Sequence, residues 1–110
     1  MTVKELVEKL GLIEYTSAND RSISAVYSCD LLSNALVKLK KDDLWLTVIS
    51  NVNVAAVAYN NNVSCVILTE GIKPDRQLLE RAVEYKISLL GTEHDSYQTA
   101  VLIAENIYLS

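Results

Sequence analysis

Short apolar runs alternate with amphipathic segments along the whole of this 110-residue sequence. The runs lack polar alternation, which is typical of strands that are covered on both faces of a parallel sheet. The segments between them carry apolar residues at helical spacing. The sequence therefore predicts an α/β domain of three layers, with a mainly parallel sheet of four to five strands and helices on both faces. The predicted strands span residues 12–15, 23–27, 44–49, 63–69 and 87–90.

Each predicted helix has a recognisable start or end. Thr2 and Glu5 have the spacing of a capping box, in which each side chain accepts a backbone hydrogen bond from the other residue. Gly11 then ends the first apolar stripe, since glycine readily adopts the left-handed conformation. The remaining predicted signals are a cap at Ser28 or Asp30, a stop at residues 60–62, a cap at Asp75 and a cap at Thr92 or Asp95.

Composition excludes several classes of protein. Half of the residues are apolar, so we expect residues 1–110 to form a single domain with its own core. The net charge of −4 and the lack of a basic cluster argue against a nucleic-acid partner. No apolar run approaches the length of a membrane span, and charges at Lys4 and Glu5 argue against a secretion signal. Cys29 and Cys65 are too few for a disulfide framework or a zinc site, so we expect a cytoplasmic protein with reduced thiols.

Polar residues follow two of the predicted strands, where open α/β domains bind their ligands. Thr69, Glu70 and Gly71 follow one strand, and Gly71 would allow close backbone approach. Ser50, Asn51 and Asn53 precede a short helix whose amino terminus favours a polar or anionic ligand. Each group also has a purely structural interpretation. The first is then an ordinary turn with Gly71 at positive φ, and the second is a set of helix caps.

No catalytic constellation is visible in the sequence. His94 is the only histidine, so a multi-histidine metal site is excluded. A nucleophilic Cys29 activated by His94 is conceivable, but nothing in the sequence brings the two together. Asp30, Glu70 and Asp75 show no diagnostic spacing for a small hydrolase or transferase. We therefore predict that the chain is not an enzyme and has no cofactor and no metal site.

Three segments, at residues 23–33, 45–58 and 68–75, resemble the DRTGG domain family, which is named for a pattern of Asp-Arg followed by Thr-Gly-Gly. Residues 2–13 also resemble the amino-terminal domain of HPr kinase/phosphorylase. The family occurs as short free-standing proteins, beside CBS domains in regulatory pyrophosphatases, and in long phosphotransacetylases. The resemblance implies an α/β regulatory domain that associates with itself and senses a small ligand, with an adenine nucleotide as the favoured candidate.

The sequence departs from the family's naming pattern. Ser50-Asn51 stands where some relatives carry Asp-Arg, and Glu70-Gly71 stands where the name requires Gly-Gly. Thr69 and Gly71 are the naming residues that remain. No phosphate-binding G-x-x-x-x-G-K-[ST] motif is present, so kinase activity is not carried over from the relatives.

The final amphipathic segment has apolar residues on more than one side. Tyr97, Ala100, Val101, Ala104 and Tyr108 share one face, and Ile103 and Ile107 lie on a second flank. Such a helix is either buried by the core on two sides or covered by a second subunit. The favoured function is therefore a non-catalytic homodimeric regulatory module with a ligand site at Ser50, Asn51, Asn53, Thr69, Glu70 and Gly71. The alternative is a ligand-free adaptor that docks a partner enzyme.

Overall fold

A computed structural model of the chain describes residues 1–108, apart from the side chain of Tyr108. Within these residues it has five strands, β1 (Ile13–Glu14), β2 (Val26–Ser28), β3 (Leu44–Thr47), β4 (Cys65–Leu68) and β5 (Leu89–Gly91). It has five helices, α1 (Val3–Leu10), α2 (Leu32–Lys38), α3 (Asn53–Asn61), α4 (Arg76–Glu84) and α5 (Ser96–Tyr108). The predicted alternation of strands and helices is confirmed.

The strands form one mainly parallel sheet in the order β1-β5-β4-β3-β2. Strands β2, β3, β4 and β5 run parallel to one another. The outermost strand β1 pairs antiparallel with β5. The carboxyl-terminal ends of these four strands therefore lie in one row on the same side of the sheet, which we call the carboxyl edge. The opposite edge, where these strands begin, is called the amino edge.

Side chains of the central strands alternate between two cores. Trp45 faces the core formed with α2, α3 and α4. Leu44 and Leu46, on either side of it, face the core formed with α1 and α5. This alternation follows from the two-residue period of a strand. Both faces of the sheet are thus covered by helices, which confirms the predicted three-layer α/β fold.

Most of the predicted helix signals are present. Thr2 and Glu5 form the capping box, and Gly11 adopts the left-handed conformation at the end of α1. Asn62 does the same at the end of α3. Asp75 caps α4 by accepting a hydrogen bond from the N–H of Leu78 at 2.9 Å. Of the two alternatives at α5, the structure selects Asp95, whose Oδ1 accepts from the N–H of Gln98 at 2.7 Å.

The predicted cap of α2 is wrong. The residue at the amino terminus of this helix is Leu31, which offers no side-chain acceptor. The Oδ1 atom of Asp30 instead accepts hydrogen bonds from the Thr47 hydroxyl and the Val48 N–H, both at 2.9 Å. Asp30 is therefore used to join the ends of β2 and β3, and Ser28 belongs to β2 itself.

The second strand begins later than predicted. Ile23 lies outside β2 because its segment is held against the start of α1, where its N–H donates to the carbonyl of Met1 at 3.0 Å. Ile23 is nevertheless buried, in the core that contains α1. A buried apolar residue next to a strand gives the same sequence pattern as one inside it.

Helix α5 packs on the sheet through the flank that contains Ile103, which is fully buried. Of the residues predicted to share the other face of α5, Tyr97 is 78% exposed and Val101 is 36% exposed. The side chain of Tyr108, also assigned to that face, lies outside the described part of the chain. None of the helices described in residues 1–108 combines the length and apolar character that a membrane crossing needs.

Candidate functional site

The loops that follow β3 and β4 lie side by side at the carboxyl edge. The two strands are direct neighbours, and the N–H of Thr69 donates to the carbonyl of Thr47 at 3.1 Å. Farther out, the N–H of Asp75 donates to the carbonyl of Ser50 at 3.0 Å. The predicted ligand residues after the two strands are therefore brought onto one edge of the sheet.

In the loop before α3, the capping interpretation accounts for Asn51. Its Oδ1 atom accepts a hydrogen bond from the N–H of Asn53 at 3.0 Å, and its carbonyl accepts from the N–H of Val54 at 3.1 Å. These bonds satisfy the first turn of α3, where the residue at the cap position makes no side-chain bond. The side chain of Asn53 is exposed, and Ser50 is half-buried.

The loop after β4 is a tight turn held by the loop before α5. Thr69 is fully buried, and its hydroxyl forms a 2.8 Å hydrogen bond with that of Ser96. The N–H of Glu70 donates to the carbonyl of His94 at 2.8 Å. Glu70 and Gly71 adopt positive φ angles of 61° and 68°. Thr69 thus has a structural role in the observed arrangement, whereas Glu70 extends into solvent.

Two close contacts at glycines were not predicted from the sequence: Glu93 lies against Gly71, and Tyr15 lies against Gly91. A Cβ atom placed on Gly71 would lie 2.5 Å from Oε2 of Glu93, so the Glu93 carboxylate covers the open side of this glycine. A Cβ atom on Gly91 would lie 2.5 Å from the ring of Tyr15. Burial, assisted by the negative charge of Glu93, raises the pKa of the Tyr15 hydroxyl. The positions of the two glycines at strand ends were the only available sequence signal.

Carboxylates dominate the charge of the carboxyl edge. Asp30, Asp75 and Asp95 are already used as hydrogen-bond acceptors within the fold. Glu70 and Glu93 add two further negative charges beside Gly71. The cations of the same described loops are Lys73 and Arg76, and Arg76 is paired with Glu80 on α4. A ligand with several phosphates would therefore need a divalent cation to bind at this edge.

The geometry excludes the conceivable Cys29–His94 pair. Cys29 follows β2 and His94 follows β5, and these strands are separated by β3 and β4. Three strand spacings correspond to about 14 Å, which is far beyond hydrogen-bond reach. The thiol of Cys29 is instead in contact with the side-chain amide of Asn34 at 3.4 Å. Among the described residues, no group of three or more His, Cys, Asp or Glu is arranged to hold a metal ion.

The fold and this edge define a class: a small three-layer α/β domain with polar loops gathered at the carboxyl ends of its parallel strands. The chain belongs to the DRTGG domain family, whose family model matches residues 6–106. This membership confirms the resemblance found in the sequence.

Among solved structures, the chain is similar to the CBS and DRTGG domains of the regulatory region of Clostridium perfringens pyrophosphatase, complexed with the activator diadenosine tetraphosphate. The TM-score is 0.76 at 19% sequence identity, so the likeness is one of fold. The match covers 93% of this chain but 45% of the pyrophosphatase chain, so the present chain spans less than half of that relative's length. No match was found among curated proteins.

Proposed function

We propose that the chain is a regulatory module that acts in the cytoplasm as a homodimer and binds an adenine nucleotide at the carboxyl edge. The observation that carries the ligand site is the junction of the loops after β3 and β4, where the N–H of Asp75 donates to the carbonyl of Ser50. Ser50 in this junction is half-buried, and Asn53, three residues further along the chain, is exposed. Ligands of open α/β sheets bind outside the carboxyl ends of the parallel strands, which is where this junction lies.

The choice of an adenine nucleotide is supported by the relative and limited by the local charge. The similar pyrophosphatase regulatory region was solved with diadenosine tetraphosphate as its activator. In the present chain, the side chains of Ser50 and Asn53 supply neutral donors and acceptors for a base or a ribose. The carboxylates of Glu70 and Glu93 disfavour a bare polyphosphate. We therefore expect AMP to bind without a metal ion and ATP to bind more tightly when Mg²⁺ is present.

The dimer half of the proposal concerns the outer face of α5. This 13-residue helix carries a single charged residue, Glu105. Exposed Tyr97 and Val101 give it an apolar surface. In a two-fold dimer the same patch meets itself, so like charges oppose each other and a face with little charge is favoured. The aromatic side chain of Tyr97 is also of the type that is enriched at interfaces.

Exposed apolar residues near α2 support the alternative function, a ligand-free adaptor that docks a partner enzyme. Leu31, Leu36 and Val37 expose apolar side chains on and beside α2, far along the sheet from β5. Exposed apolar side chains of this size are candidates for a contact with a protein partner. A chain that binds no small ligand but uses this surface would dock a partner enzyme instead.

The proposed ligand site is tested by thermal unfolding with AMP, ADP, ATP, diadenosine tetraphosphate, acyl-CoA and phosphate, each with and without Mg²⁺. A ligand at 100 times its Kd adds about 2.7 kcal/mol, which is several degrees for a domain of this size. The combined Ser50→Ala and Asn53→Ala variant should reduce the shift, because it removes two polar side chains and keeps the backbone bond to Asp75. Ser33→Ala, an exposed hydroxyl deletion on α2, is the control. The absence of any ligand-dependent shift would contradict the sensor function and favour the adaptor.

A further inference from the structure

Two cavities of about 670 and 530 Å³ lie at the amino edge, opposite the proposed ligand site. They share a wall that contains Asn19, Lys86 and Ile87. The smaller one is formed by the end of α3, the end of α4 and the segment that precedes β4. Its volume is within the range of small-molecule sites.

The 530 Å³ cavity has an aromatic wall. The ring of Tyr59 stacks on the ring of Tyr85, with 4.5 Å between centroids and 24° between planes. Tyr85 is held from α4, since Arg81 donates to its hydroxyl at 3.2 Å. Tyr59 nevertheless remains 62% exposed. It therefore has surface available to extend the stack with one more planar ring.

The same cavity is positively charged. Arg21 and Lys86 line it, and no Asp or Glu is among its described lining residues. Arg21 is fixed in place by donating to the carbonyls of Asn62 and Val63, both at 2.7 Å, and by its ion pair with Asp42. Lys86 is exposed and is presented by a left-handed backbone with φ of 57°. Lys86 is therefore the cation best placed to meet an anion from solvent.

Amide side chains complete the wall. Asn60 and Asn62 are both exposed and line the cavity beside Tyr59. Nδ2 of Asn60 already donates to Oδ1 of Asn61 at 3.0 Å, which leaves Asn60 one donor and its acceptor oxygen. The Asn62 amide offers two donors and an acceptor, and such groups suit the polar edge of a heterocyclic base. Neutral amides, a stacked aromatic ring and two cations thus surround one space.

We propose that this cavity is a second ligand site, which binds an aromatic anion of the nucleoside monophosphate class. The planar base stacks on Tyr59, the amides of Asn60 and Asn62 contact its edge, and the phosphate faces Lys86 and Arg21. The charge of this cavity is opposite to that of the carboxyl edge. The inference does not depend on the proposed carboxyl-edge site.

The test is isothermal titration calorimetry with AMP, adenosine and inorganic phosphate, carried out on the Ser50→Ala, Asn53→Ala double variant to remove polar contacts of the carboxyl edge. AMP binding should persist in this background. Adding Tyr59→Ala should weaken it by about fivefold to a hundredfold, as expected for the loss of one base–aromatic stack. Tyr97→Ala, an exposed tyrosine on α5, should leave the affinity unchanged. Tyr59→Phe should bind as tightly as tyrosine, since the ring is retained.

The anionic contact is tested by a second matched pair. Lys86→Ala should weaken the binding of AMP and leave that of adenosine unaltered, whereas Lys38→Ala, at an exposed lysine of α2, should change neither. Equal AMP affinities for the Tyr59→Ala and Tyr97→Ala variants would overturn the second site. Loss of all AMP binding in the Ser50→Ala, Asn53→Ala double variant would also overturn the second site. The proposed carboxyl-edge site would stand in that case if the unmodified chain still binds AMP. If the unmodified chain binds no adenine nucleotide, both ligand proposals are wrong.

Discussion

The Glu93 carboxylate lies over the open side of Gly71, where a side chain at position 71 would push it aside. Gly71 has a φ of 68°, and a Cβ atom at this position would lie 2.5 Å from the Glu93 carboxylate. Gly11 has a similar φ of 63° with nothing within 4 Å of the same point. Substitutions at the two glycines therefore distinguish the cost of backbone strain from the cost of side-chain crowding.

We predict that Gly11→Ala destabilises the fold by about 1 kcal/mol, the cost of a left-handed alanine. Gly71→Ala should be more destabilising only by the small cost of moving the Glu93 carboxylate, which is the far end of an exposed, flexible side chain. The difference should disappear in a Glu93→Ala background. Urea unfolding of the two glycine variants, of Glu93→Ala and of its combination with each glycine variant measures these effects. Equal losses for Gly11→Ala and Gly71→Ala would show that the Glu93 side chain moves away without cost.

Cys65 makes stability depend on pH under alkaline conditions. Burial in the core raises the pKa of its thiol from the ordinary value of 9.0 to about 12. The unfolded chain therefore ionises this thiol at a lower pH than the folded chain does. The contribution to stability is intact below about pH 9 and is lost as the pH rises through the folded pKa. Between these values, unfolding free energy should fall with pH by up to about 1.4 kcal/mol per unit more steeply than in Cys65→Ala. Parallel pH profiles for the two proteins would contradict a buried neutral thiol.

Single residues were predictable from sequence where their partner is close in the chain. The Thr2–Glu5 capping box and the cap at Asp75 each involve a partner three residues away, so spacing alone identified them. Asp30 was assigned incorrectly because its real partners, Thr47 and Val48, belong to a neighbouring strand. The contact between Gly71 and Glu93 escaped prediction for the same reason.

Among the elements, α1 and α2 differ in how they begin. Helix α1 has a complete capping box at Thr2, whereas α2 starts at Leu31 without a side-chain cap. We predict that Thr2→Ala costs about 1 kcal/mol, and that Leu31→Ser raises stability by up to about 1 kcal/mol. Chemical denaturation of both variants measures the two changes. A destabilising Leu31→Ser would show that the exposed leucine contributes more by packing than a cap would add.

The orientation of α5 shows where helical periodicity reaches its limit. Both the Tyr97 flank and the Ile103 flank satisfy a 3.6-residue repeat, so the pattern identified the helix but left open which flank meets the sheet. Packing decides this, since Ile103 joins the core that also contains Val3 and Leu6 of α1. The outer flank was correctly identified as apolar, and what covers it stays a prediction.

For the molecule as a whole, we predict that dimer formation depends on the outer face of α5. Val101→Glu would place a carboxylate on each copy near the two-fold axis, and the mutual repulsion should weaken the dimer at least tenfold. Val37→Glu, an equally drastic change at an exposed valine of α2, should leave the dimer intact. Sedimentation equilibrium measures both. A dimer disrupted by Val37→Glu alone would move the interface to α2.

Sequence order made it plausible that the loops after β3 and β4 are neighbours, because consecutive parallel strands usually lie side by side. The strand order itself came only from the structure. The amino-edge cavity could not be predicted in this way. Asn19, Tyr59 and Lys86 come from three distant parts of the chain and meet only after the sheet order is known. The difference in charge between the acidic carboxyl edge and the basic amino-edge cavity could not be predicted either, because neither the acidic residues nor the basic residues form a run in the sequence.

The most direct test of the account is a titration of ¹⁵N-labelled protein with AMP, followed by amide chemical shifts. The carboxyl-edge site predicts saturable shifts of residues 50–53 and of Gly71, with the same dissociation constant for each. Shifts at the amino edge, around Tyr59 and Lys86, would report the second site separately. Unchanged amides at residues 50–53 and Gly71 at saturating AMP would contradict the proposal that this DRTGG domain binds its ligand at the carboxyl edge.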